Sequence, residues 1–526
     1  MTYKNENTLH RLESQGNGEC FHTSYEREVE RLLDEVKESP LNHPDHIDGK
    51  ERLSAHRFRD VSPGDERLLV GVFQRGHSGD VNDAVRASRN AFPMWSKMDW
   101  AERMRFFTEA ADIMRRRKYE LAAAISLDNG KNRYEAVADV DEAIDFINYY
   151  CSEMRRNNGF ERMGDPPYPE EEVRVLLRPY GVWAVICPFN FPLAITTGMT
   201  VAALLTGNTA VLKPSSSAPL PVHLLYDVLD QAGLPDGVLN LVSGYGTEVG
   251  DPLANHPTID GVAFTGSIQV GQEIMRSAPL GRPRPVIAEL GSKNPIIVSL
   301  SADLEKAAQG VTSSAFGFSG QKCSACSRLY VHEAVFDEFM LMMVEMAENL
   351  TVGSPFERET SIGPLITKTS MDNYLRWTRK ASRDGKVLTG GSRDRTGALT
   401  HGYYARPTIV TGLPDAHELM QKELFAPLLC AQPCSSLSEA VLKSNSTEFG
   451  LTAGLFSRDQ TEISEFLEGI EFGVVYVNRE RGGSTGAMVG GQAFAGWKVS
   501  GSTGKGTGSI HYLPQFMREQ SRTVCR

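Results

Sequence analysis

Residues 316–328, Phe-Gly-Phe-Ser-Gly-Gln-Lys-Cys-Ser-Ala-Cys-Ser-Arg, place a cysteine where it could act as a nucleophile. Cys323 lies among small, uncharged residues that leave room for a substrate carbon to approach the sulfur, with Lys322 beside it. A thiol reacts as the thiolate, and a nearby cation or a set of backbone N–H groups lowers the thiol pKa. The segment therefore predicts an activated nucleophile at Cys323.

Two residues upstream of the cysteine complete a set suited to covalent acyl chemistry. Glu289, in Ala-Glu-Leu-Gly-Ser-Lys-Asn-Pro, could act as a general base. Asn190, in Cys-Pro-Phe-Asn-Phe-Pro, could donate a hydrogen bond to an oxyanion. Taken singly, Glu289 fits a surface carboxylate better and Asn190 an ordinary turn residue. Their joint spacing, 34 and 133 residues before Cys323, favours the catalytic interpretation.

In this order and with these separations, the three segments resemble the aldehyde dehydrogenase superfamily over about residues 55–526. Thr485-Gly486-Ala487 and the segment 494–501 make the chain similar to the branch that oxidises glutamate semialdehyde to glutamate in proline breakdown. The resemblance implies a Cys323 thiohemiacetal and thioester, an oxyanion held by Asn190 and the Cys323 N–H, and water activated by Glu289. It also implies a homodimer or larger assembly, and a functional pairing with a separate proline dehydrogenase.

A cofactor site is predicted where small or basic residues follow β-branched strands. A helix beginning at Gly266 or Ser267 would present free N–H groups and a positive dipole end to a pyrophosphate. Lys213 and Ser216 follow another strand, at the end where open α/β sheets bind ligands. A lone lysine there is more often plain surface charge, but the resemblance implies that Lys213 binds the adenine ribose.

The resemblance implies that Glu423 and Phe425 hold the nicotinamide ribose and ring of the cofactor. Ala426, just after them, stands where a glycine is usual. NAD is the expected cofactor. NADP stays open, because Ser216 replaces a glutamate that disfavours a 2′-phosphate in many members of the superfamily.

The resemblance also implies that the far end of the aldehyde pocket holds the α-carboxylate and ammonium of the substrate. A glycine-containing turn can direct successive N–H groups toward one anion. The matching positions are Ser324, Gly486, Ala487, Phe191, Phe494 and Glu142. Glu142 fits a solvated helix face almost as well. Departures from the usual pattern at Ser292 and at 490–495 leave a different aldehyde open as the substrate.

Short cysteine pairs raise the alternative of a four-thiolate zinc site, formed by Cys323, Cys326, Cys430 and Cys434. The second pair lies in an apolar run of the kind that often buries free cysteine, so we predict no metal. A non-catalytic binding protein on the same fold is a further alternative. Such a protein would not need a nucleophile, a base and an oxyanion donor, so the presence of all three argues against this alternative.

Composition narrows the class of protein. The net charge of −11 argues against a nucleic-acid surface. Eight cysteines in 526 residues make no disulfide framework and fit a reducing cytosol. The N-terminus lacks the apolar core of a signal peptide, and the most apolar stretch, 193–212, is too polar to span a membrane. We expect a cytoplasmic protein that binds neither nucleic acid nor membrane.

The order of the predicted elements indicates how these residues are positioned. Helical periodicity starts at Asp80 and continues through 101–117, 118–129 and 134–155. From residue 182, strands alternate with helices that are predicted over 193–205, over 219–232, from Thr247 and from Val270. This alternation predicts an α/β fold with two doubly wound open sheets, one Rossmann-like for the cofactor and one carrying Cys323.

The predicted domains follow from this layout and from the resemblance. Residues 1–50 form an N-terminal arm with a helix from Ser24 to Glu38. Residues 51–158 and 181–290 form the NAD-binding domain, and 291–480 the catalytic domain. Residues 159–180 and 481–526 form a small β oligomerisation element and the substrate-anchor loop, with a C-terminal strand over 520–525.

Overall fold

The computed structural model describes residues 4–38, 41–278, 280, 282–480 and 489–525. Its α-helices are α1 Thr8–Ser14, α2 Gly18–Glu38, α3 Ser78–Trp95, α4 Trp100–Arg116, α5 Lys118–Asn129, α6 Arg133–Arg156, α7 Ala194–Leu205, α8 Leu220–Gln231, α9 Asp251–Ala254, α10 Ile268–Ser277, α11 Leu304–Phe316, α12 Glu333–Glu348, α13 Lys368–Asp384, α14 Glu418–Gln421, α15 Leu437–Asn445 and α16 Gln460–Gly469.

Its strands are β1 Asn42–His43, β2 Asp45–Ile47, β3 Lys50–Arg52, β4 Arg57–Val61, β5 Leu69–Gln74, β6 Glu161–Met163, β7 Glu171–Pro179, β8 Val182–Ile186, β9 Thr209–Lys213, β10 Leu239–Leu241, β11 Gly261–Thr265, β12 Val286–Glu289, β13 Asn294–Val298, β14 Cys326–His332, β15 Lys386–Thr389, β16 Thr408–Thr411, β17 Leu428–Cys434, β18 Phe449–Gly450, β19 Thr452–Phe456, β20 Val474–Val477, β21 Trp497–Lys498 and β22 Met517–Cys525.

The first large sheet has the strand order β12-β11-β8-β9-β10-β2-β3. The first five strands in this order, β12, β11, β8, β9 and β10, are parallel, and β2 and β3 add an antiparallel edge. Alternate residues of β8 enter different cores: Trp183 and Val185 pack with α4 to α8, whereas Val182 and Ala184 pack with α3, α9 and α10. Helices therefore cover both faces, which explains why the central strands are continuous apolar runs.

The second large sheet has the order β15-β16-β17-β14-β13-β19-β20 and is parallel except for β15. Its strand β14 begins three residues after Cys323, and α11 ends seven residues before the cysteine. The cysteine therefore lies in the turn that joins a helix to a central strand. Ligands bind in open parallel sheets at such strand ends and in the turns around them.

A third sheet, β22-β7-β6, is antiparallel and lies largely at the surface. All residues of β22 except Met517 are exposed. These three sheets confirm the predicted fold class, two doubly wound α/β units with a small β element. In the part of the chain that the structure describes, no helix is long and apolar enough to cross a membrane.

Several element boundaries differ from those predicted. The N-terminal helix begins at Gly18 rather than Ser24, and the C-terminal strand begins at Met517. The helix expected from Thr247 is one π-helical turn, Gly246–Gly250, followed by α9, whose second residue is Pro252. Strand β2, which ends at Ile47, and strand β3, which begins at Lys50, both join the first sheet. The domain boundaries stay a prediction.

Candidate active site

The turn that carries Cys323 has an unusual backbone. Phe318 and Ser319 have φ values of 48° and 55°, and Gly320 has a φ of 67°. A Cβ atom on Gly320 would lie 2.4 Å from the carbonyl oxygen of Ala426, so only glycine fits. Three successive left-handed residues thus reverse the chain after α11 and bring it close to the loop that carries Glu423 and Phe425.

Asn294 holds the cysteine turn and was missed by the sequence analysis. Its Nδ2 donates to the carbonyl oxygens of Cys323, at 2.7 Å, and Ala325, at 2.9 Å, and its Oδ1 accepts from the Thr452 N–H at 2.9 Å. Its position in the sequence could have identified it, because Asn294 stands near the end of the segment that contains Glu289. It is also the first residue of β13, which pairs with β14. The buried amide locks the backbone on both sides of Ser324.

Lys322, which follows Gln321 and precedes Cys323 in the sequence, is paired with a different side chain. The Lys322 Nζ lies 2.6 Å from Glu135 Oε1, in an ion pair with that carboxylate. Burial and the nearby Glu423 and Glu289 carboxylates raise the pKa of the Cys323 thiol, and only its backbone N–H acts in the other direction. The thiol therefore needs a proton acceptor or a change in its surroundings to become a thiolate.

Glu289 is the last residue of β12 and is half-buried. Its backbone is fixed on both sides, since its carbonyl accepts from the Gly266 N–H at 3.1 Å and Leu290 N–H donates to the Ser500 carbonyl at 2.9 Å. Its side-chain Oε2 has no hydrogen-bond partner among the described residues. Burial raises its pKa well above the usual value, partly offset by the Gly496 N–H. This suits a proton acceptor that works near neutral pH.

Asn190 lies in the turn between β8 and α7 and is 4% exposed. It lines the same cleft as Cys323 and Glu289. The structure thus brings the three predicted catalytic residues to one place, from the ends of β8 and β12 and the start of β14.

A cleft with a volume of about 440 Å³ opens from these residues along the strand ends of the first sheet. Every predicted cofactor residue lines this cleft: Lys213, Ser216, Gly266, Ser267, Glu423 and Phe425. Helix α10 starts at Ile268, and the Ser267 hydroxyl accepts from Val270 N–H at its N-cap. The Gly266 N–H donates to Glu289, so the free N–H groups expected at the helix start begin only after Gly266.

The polar groups at the two ends of the cleft suit a dinucleotide. Lys213 is 5% exposed, and the hydrogen bond recorded for its Nζ goes to the Pro214 carbonyl, at 2.9 Å. Burial lowers its pKa to about 8. At the other end, Glu423 Oε1 accepts from Ser292 N–H at 2.9 Å, and burial raises the Glu423 pKa to about 7. An amine and a carboxylate with spare hydrogen-bonding capacity could each bind ribose hydroxyls.

A second, smaller cavity, with a volume of about 40 Å³, lies on the other side of Cys323. The predicted residues Ser324, Phe191, Phe494 and Glu142 line it, together with Cys323 and Glu289. Glu142 is half-buried, and burial together with Asp139 raises its pKa to about 8. Gly486 and Ala487 lie outside the residues that the structure describes.

Six residues that line the cavity were missed: Phe146, Ile195, Met199, Thr265, Thr507 and Tyr512. Helical spacing could have found one of them, because Phe146 lies four residues after Glu142 on α6. Ile195 and Met199 share a face of α7 by the same spacing. Nothing local marks Thr507 or Tyr512, which reach the cavity from the C-terminal segment.

No three or more His, Cys, Asp or Glu residues in the described ranges are arranged to hold a metal ion. Cys326 and Cys430 are buried, and their Sγ atoms lie 3.4 Å and 3.6 Å from the backbone carbonyl oxygens of Arg328 and Leu419, respectively.

Comparison with known proteins agrees with this geometry. The 1-pyrroline-5-carboxylate dehydrogenase of Anoxybacillus flavithermus is 37% identical over 488 residues, covering 92% of each chain. The structure of a 1-pyrroline-5-carboxylate dehydrogenase from Thermus with bound NAD superposes with a TM-score of 0.92 at 33% identity, covering 100% of this chain and 99% of that one. Proline utilization A from Bdellovibrio bacteriovorus superposes with a TM-score of 0.90 at 36% identity, covering 95% of this chain and 52% of that one.

The model of the aldehyde dehydrogenase family matches residues 50–521, which include the second large sheet, every strand of the first except β2, and every predicted catalytic residue. The chain belongs to the aldehyde dehydrogenase family.

Proposed function

We propose that this protein oxidises L-glutamate γ-semialdehyde, which equilibrates with 1-pyrroline-5-carboxylate, to L-glutamate with reduction of NAD. The observation that carries the proposal is that Cys323 and Glu289 line both the long cleft and the smaller cavity. A nucleophile and a base at that junction can reach an aldehyde on one side and a cofactor on the other. The relatives named for 1-pyrroline-5-carboxylate support the choice of substrate.

The chemistry begins at the sulfur of Cys323. Its thiol first gives its proton to water, the thiolate then attacks the aldehyde carbon to form a C–S bond, and the carbonyl electron pair moves to the oxygen. The Asn190 side chain and the Cys323 backbone N–H donate to this oxyanion. Two such donors aimed at a developing charge contribute strongly, and loss of one costs about 10²–10³ in rate.

Lys213, Ser216 and the start of α10 would hold the adenosine and pyrophosphate parts of NAD, and Glu423 and Phe425 would hold its nicotinamide end. Bound NAD supplies the acceptor for the hydride that leaves the substrate carbon as the C–O double bond re-forms, which gives a thioester. The Glu289 carboxylate then takes a proton from water, and the hydroxyl adds to the thioester carbon. The C–S bond breaks, the thiolate of Cys323 is released, and the product is a carboxylate.

The lining of the smaller cavity supports a substrate with an aliphatic chain and polar end groups. Phe191 and Phe494 provide apolar walls for the methylene groups, and Ser324 adds a hydroxyl whose Oγ has no hydrogen-bond partner among the described residues. We propose Gly486 and Ala487 as the anchor for the α-carboxylate. A different aldehyde is the second candidate substrate, because the segment around this anchor departs from the usual pattern of the branch.

We also propose a homo-oligomer that assembles through the β22-β7-β6 sheet. Strand β22 is an exposed edge paired with β7 over nine residues, and unpaired edges promote association with other chains. Light scattering on the full chain and on a variant ending at residue 516 would test this. The aldehyde would come from a separate proline dehydrogenase.

The test of the function is NADH formation with 1-pyrroline-5-carboxylate beside succinate semialdehyde, propanal and betaine aldehyde, with Cys323→Ala as the blank. We expect the highest kcat/KM for 1-pyrroline-5-carboxylate, lost in the variant. A higher value for another aldehyde would contradict the anchor at Gly486 and leave the enzyme class intact. Activity that persists in Cys323→Ala would contradict the mechanism.

A further inference from the structure

A buried ion pair lies directly behind the turn that carries Asn190. Lys131 Nζ and Asp139 Oδ2 are 2.7 Å apart, and neither side chain is exposed at all. Lys131 lies in the loop between α5 and α6, and Asp139 lies two turns into α6. The second carboxylate oxygen of Asp139 accepts from the N–H of Ala194, the first residue of α7, at 2.7 Å. The pair is therefore bonded to the helix that follows the Asn190 turn.

The same pair contacts a wall of the aldehyde cavity. The Lys131 Nζ lies 3.5 Å from the centroid of the Phe191 ring and 5.1 Å from that of Phe318 in the cysteine turn. An ammonium over an aromatic face attracts the ring, and the attraction grows when water is excluded. Lys131 thus fixes the orientation of the ring that follows Asn190.

The neighbouring Asn129 holds the other side of Asn190. Its Nδ2 donates to the Phe189 carbonyl at 3.3 Å, and its Oδ1 accepts from the Lys131 N–H at 3.1 Å. Contacts from residues 129–139 therefore reach the residue before Asn190, the ring after it, and the start of the next helix.

Stability alone gives no reason for such a pair. Removing two charges from water costs several kcal/mol per ion, and apolar residues of similar volume often stabilise a core as well or better. The Lys131–Asp139 pair instead has a directional role, since each partner contacts a different part of one functional turn.

We propose that Lys131 and Asp139 are positioning residues that set the place of the Asn190 amide and the Phe191 ring for oxyanion stabilisation. This inference rests on the proposed role of Asn190. Neither residue of the pair touches the reacting atoms. Their effect on rate passes through Asn190, and displacement of a catalytic group by about 1 Å can cost 10²-fold.

A double-mutant cycle on kcat/KM tests the inference. Lys131→Met is expected to lower kcat/KM by about 10- to 100-fold in the otherwise unchanged protein, and by less than about threefold in Asn190→Ala. A role in folding alone would lower both backgrounds by the same factor. Because Lys131→Met leaves a buried carboxylate, the variant Lys131→Met/Asp139→Asn, which keeps the site neutral, is measured in the same cycle.

The matched control is Lys118→Met. Lys118 is also a buried lysine paired with an α6 carboxylate, Asp141, at 2.6 Å, but its other contacts are to Glu6 and Thr8 of the N-terminal segment. It is expected to lower the thermal midpoint while kcat/KM stays within about twofold. NAD affinity, measured by fluorescence on every variant, shows whether the fold is intact.

Equal losses in both backgrounds, or no loss from Lys131→Met and the neutral double variant, would overturn the inference. The failure of the proposed function has a different signature. In that case the unchanged protein would form no NADH from 1-pyrroline-5-carboxylate, whereas failure of the role of Asn190 alone would leave Asn190→Ala with full activity.

Discussion

The long cleft and the smaller cavity share Cys323 and Glu289, yet they are built in different ways. Most of the cleft follows the ends of β8, β9, β11 and β12, which are neighbours in the first sheet, and Cys323, Glu423 and Phe425 from turns of the second sheet complete it. The cavity is enclosed by helices α6 and α7 and by residues 494, 507 and 512, which lie far along the chain. The cleft is about ten times larger, 440 Å³ against 40 Å³.

This difference indicates how the two ligand sites are specified. A parallel sheet creates a binding edge wherever consecutive strands end, so a long ligand can lie along it without a closed wall. A small aldehyde needs a dry, closed site, and closure requires side chains from several distant segments to pack together. Variants of Cys323 and Glu289, which both pockets share, should therefore affect turnover. Variants in the cleft alone should affect NAD, and variants in the cavity alone should affect the aldehyde.

The largest expected effect is at the shared cysteine. Cys323→Ala should lower kcat by about 10⁴-fold or more, because the covalent adduct forms at the Cys323 sulfur. The affinity for NAD, measured by fluorescence titration, should stay within about threefold if cleft and cavity are independent. Cys326→Ala is the control, since that buried thiol lies against the Arg328 carbonyl. Substantial turnover by Cys323→Ala would show that the reaction does not use Cys323 as its nucleophile.

Glu289→Gln should lower steady-state kcat by about 10²–10⁴-fold, because the amide cannot accept a proton from water. Rapid mixing should still show a burst of NADH, since thioester formation precedes the step that Glu289 catalyses. In the unchanged enzyme kcat should rise with pH through the raised pKa of Glu289, as only the carboxylate accepts a proton. Loss of the burst would place Glu289 before the thioester.

The cleft should bind NAD within a narrow pH window. Burial lowers the Lys213 pKa to about 8, so its ammonium is lost above that pH, and it raises the Glu423 pKa to about 7, so its carboxylate is lost below it. Affinity for NAD should therefore be greatest between about 7 and 8 and fall by up to about tenfold per pH unit outside. Calorimetry on Cys323→Ala measures it.

In Glu423→Gln the acid limb of that profile should disappear, and in Lys213→Met the alkaline limb should disappear. A profile that keeps both limbs in the two variants would contradict the assignment of these residues to the cofactor.

The smallest effect is expected at the adenosine end of the cleft. Ser216→Glu should lower kcat/KM for NADP by about tenfold, because a carboxylate repels a 2′-phosphate, and change that for NAD by less than about threefold. The KM for the aldehyde should not change, because Ser216 lines only the cleft. Ser215→Ala, beside it, is the matched control. An equal loss with both cofactors would place Ser216 away from the ribose.

Sequence patterns predicted the elements and the fold class well. Lys118–Asn129 has the bounds expected for a helix, and Gly261–Thr265 those expected for a strand. Buried parallel strands are short apolar runs bounded by glycine and proline, and amphipathic helices have a clear period, so both are visible locally. The start of α2 and the π-helical turn at Gly246 were not visible in the local sequence, because tertiary packing decides where a helix frays or tightens.

The sequence by itself determined which chemistry is possible. A cysteine in a glycine-containing turn, a glutamate 34 residues before it and an asparagine between two phenylalanines are fixed by residue type and spacing.

Only the tertiary structure decided what surrounds those groups. It directed Lys322 to Glu135 instead of Cys323, aimed Asn294 at the cysteine carbonyl, and placed Lys131 behind Phe191. Such contacts join residues far apart in the chain, and their strength depends on burial. The pKa of a buried group and the position of its side chain depend on the exclusion of water and on partners far away in the chain. The local sequence therefore does not show them.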